Sequence, residues 1–186
     1  DPAPQRHPHR GEPAHRQPPP HMRVWGRRIS GTGEVMQWGY TCSSEEFEAS
    51  DLVRFAEAAE DAGFSFVTVS AHSHPWTSSQ GHSPYVWTTL GGIGAQTREV
   101  RLGTGVSCPL VRQHPTIVAQ AAATVSELTG GRFFLGVGTG EALNEHITGE
   151  RWPPIDQRQD ALVEAVGVIR QLWTGETVDH HGRWFT

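Results

Sequence analysis

The pattern that most constrains this fold is a strand followed by a helix, repeated four times after Met36. Each strand is a short run of β-branched, aromatic or other apolar residues, and each helix presents an apolar face. Serial repetition of this unit predicts a parallel sheet with helices packed outside it. The predicted strands are 36–41, 64–70, 100–107 and 132–138, the predicted helices are 44–62, 84–97, 115–128 and 156–173, and 177–186 is predicted to be extended. Ser43 or Ser44 is the predicted cap of the first helix.

Two α/β architectures fit this order of elements. A doubly wound sheet carries a glycine-rich loop after its first strand, but here TCSSEE follows that strand and the glycines follow the third and fourth strands. This distribution favours a (β/α)8 TIM-barrel-like fold, whose functional residues collect at the carboxyl ends of several strands. Such a barrel needs about 250 residues. The sequence therefore predicts a fragment of roughly half a barrel.

The first 35 residues differ in composition from the rest. Residues 1–21 contain seven Pro and four His and little that could be buried, which predicts a disordered extension over residues 1–35 and a folded part over residues 36–186. The folded part holds nine Arg and seventeen acidic residues, a net charge of -8. An acidic body argues against nucleic acid as a partner, because such binding relies on a basic face.

Several protein classes are excluded by what the chain lacks. The sequence has no Lys, so neither a lysine Schiff base nor a P-loop is possible. Two cysteines are too few for a disulfide scaffold or a cysteine-based zinc site. No apolar run is long enough to cross a membrane, and none follows Arg27 and Arg28 as an export signal would require. The prediction is a cytoplasmic protein that does not bind membranes.

Polar and aromatic residues follow the second, third and fourth predicted strands. In a parallel barrel these ends share one mouth, so His72, Trp76, Cys108, Glu141 and Asn144 are candidates for a single pocket. A histidine there suits general acid/base chemistry because its ordinary pKa lies near neutral pH. Taken alone, each residue also has a structural explanation, such as a backbone-bonded loop histidine or a first-turn helix carboxylate.

Two further patterns are less specific. His72 and His74 have the spacing of a metal pair, but no third ligand is evident, so no metal site is predicted. The segment GVGTG at 136–140 places glycines between a strand and a helix, where backbone can approach a phosphate or a flat ring. It lacks the complete dinucleotide-binding pattern. The residues thus indicate acid/base chemistry on a flat ligand without identifying it.

At these positions the sequence resembles the luciferase-like superfamily. The similarity is greatest to the branch that uses the deazaflavin coenzyme F420, typified by the F420-dependent glucose-6-phosphate dehydrogenases. The matching segments are TVSxHxxPW at 68–76, GTGV at 103–106, HPTIVAQAAAT at 114–124, RFFLGVGTGEALNE at 132–145 and RQLWTGETV at 170–178. The resemblance covers about residues 36–186, roughly the N-terminal half of a family member.

The resemblance implies an oxidoreductase that moves a hydride between an alcohol-type carbon of a small-molecule substrate and F420, and that forms a homodimer when full length. His72 corresponds to the residue that takes the substrate hydroxyl proton, Glu141 to the one that exchanges a proton with the reduced cofactor, and Trp76 to one lining the reaction site. The Gly105–Val106 bond corresponds to a non-prolyl cis peptide. The positions that correspond to cofactor-binding residues are Ala71, Gly105, Val106, Cys108, Thr139, Gly140 and Asn144.

The chain departs from the family pattern at two of these positions. Ala71 stands where the family usually has a cofactor-contacting Asp, and Cys108 stands where the glucose-6-phosphate enzymes have Thr. The residues that bind the sugar phosphate in those enzymes correspond mostly to positions beyond this chain. Two alternatives therefore stay open: an FMN-dependent monooxygenase of the same superfamily, and a non-catalytic fragment.

Overall fold

The computed structural model describes residues 36–186. The predicted disorder of residues 1–35 lies outside the described residues. The described chain alternates strands with helices. Its elements in order are β1 (Gly39–Cys42), α1 (Ala49–Asp61), β2 (Phe66–Val69), α2 (Val86–Gln96), β3 (Arg101–Thr104), α3 (Pro115–Leu128), β4 (Phe133–Phe134), α4 (Ala142–Glu145), a short 3₁₀ helix (His146–Thr148) and α5 (Ile155–Leu172).

The four strands form one parallel sheet in the order β1-β2-β3-β4. Gly39 is paired with Phe66, Phe66 with Arg101, and Leu102 with Phe133. Sequential neighbours that are all parallel require a crossover helix between each pair, and α1, α2 and α3 supply these crossovers. This is the strand order of a TIM barrel, of which the described sheet has half the strands.

The first helix begins five residues later than predicted. Its N-cap residue is Glu48, which makes no side-chain capping hydrogen bond, so the prediction of a Ser43 or Ser44 cap is wrong. The Ser44 hydroxyl instead donates to the carbonyl oxygen of Ser70 at 2.7 Å. Residues 43–48 are therefore a strand-end loop fastened to the end of β2, and this places Glu45 beside the candidate site.

The observed strands are shorter than the predicted runs. The end of β3 and the end of β4 continue as one isolated parallel bridge, between Ser107 and Val137. At Gly103 an added Cβ would overlap the Phe134 carbonyl oxygen, so the two strands approach closely there. No strand forms over 177–186. There the Glu164 carboxylate accepts the backbone N–H groups of 183–185, which replaces a strand partner.

The core lies between the sheet and the helices outside it. Val67, Val69 and Leu102 of the strands are fully buried, and they belong to one apolar cluster with α1, α2 and α3. Burying each such side chain contributes about 1.5–3 kcal/mol. The buried helical members of that cluster are Leu52, Ala56, Ala59, Val86, Trp87, Leu90, Ile93, Val118, Ala119, Ala122, Val125 and Ile169.

The amino ends of the strands carry a polar network that closes the base of the sheet. The Arg132 guanidinium donates to the carbonyl oxygens of Gly94, Thr97 and Val100. The Glu60 carboxylate accepts three consecutive backbone N–H groups, those of 98–100. Both satisfy backbone groups at helix and strand ends, so this side of the sheet is structural. Among the described residues no helix is both long and apolar enough to cross a bilayer.

Candidate active site at the carboxyl ends of the strands

The imidazole of His72 lies at the centre of the candidate site. It follows β2, and its Nδ1 is hydrogen-bonded to Oε1 of Glu45, from the loop after β1. Its Nε2 lies 3.8 Å from Oε2 of Glu141, which follows β4. Because the strands are parallel, three separate loops reach one edge of the sheet and bring these three groups together.

The Glu45 carboxylate is buried, with its side chain 5% exposed. Burial alone favours the neutral acid, but hydrogen bonds with His72, Ser70 and its own backbone N–H outweigh this and lower the pKa of Glu45 to about 2. Ser43 Oγ also donates to Oε2 at 3.1 Å. Glu45 is therefore ionised at neutral pH and accepts the Nδ1 proton of His72, which leaves Nε2 as the basic nitrogen.

Trp76 packs edge-on against the imidazole of His72. The ring centroids are 4.9 Å apart and the planes are inclined by 85°. The indole is about half exposed, so its other surface faces away from the protein. His72, Glu141 and Trp76, the three predicted catalytic residues, thus lie together in the structure, with an apolar surface next to two titratable groups.

Asn144 joins the loop after β2 to α4. Its side chain is fully buried, and its Oδ1 accepts the backbone N–H groups of Ser73 and His74 at 2.8 and 3.0 Å. Its Nδ2 lies 3.4 Å from Oε2 of Glu141. Asn144 therefore positions both the histidine loop and the glutamate, and direct contact with a cofactor stays a prediction.

Behind the site, a buried ion pair links α4 to the loops after β2 and β3. Glu145 is 1% exposed and accepts the backbone N–H of Arg112 at 3.0 Å and its Nε at 3.4 Å. Nη2 of Arg112 donates to the carbonyl oxygen of Ala71 at 2.6 Å. The methyl group of Ala71 is itself buried. The role of Ala71 that the structure describes is thus a backbone one, as the acceptor for Arg112.

Cys108 and Gly140 lie against each other where the loops after β3 and β4 meet. Gly140 has φ +74, and a Cβ built on it would lie 2.6 Å from Sγ of Cys108. Burial and the nearby negative charge of Glu145 raise the pKa of Cys108 to about 12. The thiol is therefore neutral at physiological pH, and it contributes packing rather than a nucleophile.

The peptide bond between Gly105 and Val106 is cis, as predicted. It lies at the end of β3, and the Val106 side chain is 45% exposed. A Cβ added to Gly138 would lie 2.8 Å from Cγ2 of Val106, so the glycine lets the two loops approach. The last predicted residue, Thr139, lies between Gly138 and Gly140 in the sequence. Its Oγ1 accepts a hydrogen bond from Arg158 at 3.3 Å.

Four side chains of the site were not identified from sequence: Glu45, Arg112, Glu145 and Arg158. Glu45 falls within the predicted helix 44–62, whereas its position in the loop after the first strand is the signal that points to the site. Arg112 and Glu145 are 33 residues apart, and no local pattern connects such a pair. Arg158 is one of the charged residues of an amphipathic helix, and nothing in the sequence distinguishes it from its neighbours.

Two other features bear on the site. A cleft of about 750 Å³ lies between α3, β4 and the end of α5, and its lining includes Ala122, Phe134 and Trp173 but none of the predicted site residues. The acid/base cluster is therefore separate from this cleft. Within residues 36–186, no group of three or more His, Cys, Asp or Glu side chains is placed to hold a metal ion.

Parallel βα units that carry polar, titratable side chains at the carboxyl ends of their strands are the arrangement found in TIM-barrel enzymes. The sequence matches the luciferase-like monooxygenase family over residues 29–186. The chain belongs to that family. This confirms the resemblance inferred from the strand-end segments.

Individual relatives are more specific. The chain is 46% identical over 147 residues to an F420-dependent hydroxymycolic acid dehydrogenase of Mycobacterium tuberculosis, covering 79% of this chain and 41% of the relative. It is 45% identical over 154 residues to an F420-dependent glucose-6-phosphate dehydrogenase of Nakamurella multipartita, covering 83% of this chain and 45% of the relative. The chain thus spans less than half the length of the curated relatives that it matches.

A solved structure shares both fold and sequence with this chain. It is an F420-dependent secondary alcohol dehydrogenase in complex with an F420-acetone adduct. It superposes with a TM-score of 0.76 at 40% sequence identity, covering 80% of this chain and 46% of the solved chain. The luciferase-like fold predicted from the sequence is therefore confirmed.

Proposed function

We propose that this chain provides the acid/base half of an F420-dependent oxidoreductase, which transfers a hydride between an alcohol-type carbon and the deazaflavin coenzyme. The observation that carries the proposal is His72 held between Glu45 and Glu141. Relatives at 40–46% identity, whose names specify F420-dependent dehydrogenases, support the choice of coenzyme.

The residues present fit a planar coenzyme. Trp76 and Val106 are large apolar side chains that are 49% and 45% exposed at the ends of two neighbouring strands. Apolar surface beside positioned polar groups is typical of sites for flat ligands. We assign coenzyme contacts to Val106, Gly105, Thr139 and Gly140. When bound, the deazaflavin supplies a ring carbon that accepts a hydride.

In the proposed reaction, His72 acts on the substrate hydroxyl. As the carbon–hydrogen bond breaks and the hydride leaves, Nε2 of His72 takes the hydroxyl proton and the alcohol becomes a carbonyl compound. Glu45 accepts the hydrogen bond that Nδ1–H of His72 donates. Because its carboxylate is already charged, it stabilises the imidazolium that forms. To Glu141, 3.8 Å from Nε2 of His72, we assign the proton exchange with the reduced coenzyme.

The proposed function also implies a class of substrate, an oligomeric state and a location. The substrate is a small molecule that bears a secondary or sugar-type hydroxyl group, which matches the proton acceptor at Nε2 of His72. We also propose that the protein forms a homodimer and is located in the cytoplasm. The acidic described body, with a net charge of -8 over 36–186, disfavours a nucleic acid partner.

Binding of the coenzyme tests the proposal directly. The purified protein is titrated with F420 and, separately, with FMN, and the fluorescence of each coenzyme is followed. We expect saturable binding of F420 and at least tenfold weaker binding of FMN. Tight FMN binding without F420 binding would overturn the proposal in favour of a flavin-dependent monooxygenase, and no binding of either would favour a non-catalytic fragment.

A further inference from the structure

Arg158, in the first turn of α5, reaches the turn that follows β4. Its Nη1 donates to Oγ1 of Thr139 and to the carbonyl oxygen of Gly140, both at 3.3 Å. Thr139 and Gly140 are distant from Arg158 along the chain, so these are tertiary contacts. One planar guanidinium group thereby holds both a side chain and a backbone group of the turn.

The guanidinium is itself fixed from its other sides. Its Nε donates to the carbonyl oxygen of Pro153 at 3.1 Å. Its Cζ lies 4.5 Å from the centroid of the Trp152 ring, which is a cation–π contact. Arg158 is partly buried. A side chain held by a stacking partner and a separate acceptor loses little further entropy on holding the turn, so its geometry is preorganised.

The turn it holds leads directly into the acid/base cluster. Gly140 has φ +74, and the next residue, Glu141, is the N-cap residue of α4. α4 has only four residues, so it provides little rigidity of its own. Any displacement of Gly140 is therefore passed to Glu141 and to the coenzyme contacts assigned to Thr139 and Gly140.

We propose that Arg158 is the positioning residue of the 139–141 turn and that it sets the affinity for F420 by preorganising that turn. This inference rests on the proposed function for the identity of the ligand. It does not require Arg158 to touch the coenzyme. Its role depends on the planar guanidinium, in which Nε donates to Pro153 while Nη1 donates to the turn. Lys cannot reproduce this arrangement, so the role does not rest on positive charge alone.

The test compares four variants of the purified protein: Arg158→Gln, Arg158→Lys, Trp152→Leu and Arg170→Gln. Arg170→Gln is the matched control, because it removes the same charge from the exposed last turn of the same helix. Two quantities are measured: amide hydrogen exchange of 138–142 without coenzyme, and the Kd for F420. The exchange measurement needs no bound coenzyme and no activity.

We expect Arg158→Gln to speed exchange over 138–142 and to raise the Kd by about 10–100-fold, because hydrogen bonds to a charged group are lost. Arg158→Lys should raise both nearly as much, Trp152→Leu should raise both by less, and Arg170→Gln should leave both unchanged. Should Arg158→Gln fail to fold, Trp152→Leu decides through the same two readouts.

Two results would overturn the inference: unchanged exchange over 138–142 in Arg158→Gln, or full recovery of affinity in Arg158→Lys. The second result would assign Arg158 an electrostatic role instead. Failure of the wild-type protein to bind F420 is a different outcome. It would overturn the proposed function, while the exchange data would still decide whether Arg158 holds the turn.

Discussion

The carboxylate of Glu45 is hydrogen-bonded to Nδ1 of His72, which fixes the orientation of the imidazole in the candidate site. The two residues come from the ends of neighbouring strands and are 27 positions apart in sequence. Glu45 is buried and ionised, so it selects the tautomer of His72 that carries its proton on Nδ1. The nitrogen that faces Glu141 is thereby left free to accept a proton.

Glu45 should make stability depend on pH in acid solution. Its folded-state pKa of about 2 lies below the ordinary value of 4.5, so its contribution is present above about pH 4.5 and is lost as pH falls towards 2. We expect Glu45→Gln to lower the free energy of unfolding by about 2 kcal/mol near neutral pH, with the difference from wild type shrinking as the solution is acidified. Urea unfolding at a series of pH values measures this.

The neighbouring Glu46 provides the control for that measurement. It is exposed, and its carboxylate accepts a long hydrogen bond, 3.4 Å from Nε2 of Gln80. Glu46→Gln should change the free energy of unfolding by less than about 0.5 kcal/mol at every pH. A difference between wild type and Glu45→Gln that stays constant from neutral to acid pH would contradict the ionised state assigned to Glu45.

Replacing His72 with Asn should remove the proton acceptor while keeping a polar side chain. General acid/base catalysis contributes about 10²–10⁴-fold, and we expect a loss of F420-dependent alcohol oxidation of that size, with the Kd for F420 changed less than about threefold. Stopped-flow reduction of F420 measures the rate. His181→Asn is the control, since that side chain is 72% exposed. An equal loss in both variants would show that the effect is not local to the site.

The fold was predictable because it depends on repeated local patterns. The Ala-rich composition of 115–128 predicts a helix there, and α3 has the same bounds, Pro115–Leu128. The start of α1 was not predictable in this way, because the Ser44 hydroxyl bonds to Ser70 in a neighbouring loop rather than to its own helix. A capping residue has several partners available, and only the tertiary structure decides between them.

The site was predictable where residues lie at the ends of strands, and less so where they act through distant partners. His72, Trp76 and Glu141 follow β2 and β4, so the parallel sheet brings them together. The partners of Arg158 and Glu145 come from other elements. Such pairs depend on how loops pack after the sheet has formed, which local sequence does not encode.

Gly140 should tolerate substitution less well than Gly149, although both have positive φ, +74 and +78. A Cβ at Gly140 would lie 2.6 Å from Sγ of Cys108, whereas a Cβ at Gly149 would meet no atom of residues 36–186 within 4 Å. We expect Gly149→Ala to cost about 1 kcal/mol from backbone strain and Gly140→Ala to cost about 1–3 kcal/mol more from the clash. Thermal unfolding measures both, and Cys108→Ala should partly rescue Gly140→Ala. Equal costs without rescue would exclude the clash.

The buried Arg112–Glu145 pair should show strong energetic coupling. Removing one partner leaves the charge of the other buried and uncompensated, which costs about 3–5 kcal/mol. We therefore expect Glu145→Gln and Arg112→Met each to destabilise severely, and the double variant to be less destabilised than the sum of the two. The coupling energy from urea unfolding of all four proteins should exceed about 1 kcal/mol.

The exposed pair Arg54–Asp51 is the matched control, because it joins the same types of group where the side chains are 71% and 30% exposed. Its double-mutant cycle should give a coupling of at most about 0.5 kcal/mol, as for helix pairs three residues apart. Arg112 also donates to the carbonyl oxygen of Ala71, so Arg112→Met should in addition loosen the loop that carries His72. Amide exchange over 71–74 should therefore rise more in Arg112→Met than in Arg54→Met. Equal coupling in the two cycles would show that burial does not strengthen the Arg112–Glu145 pair.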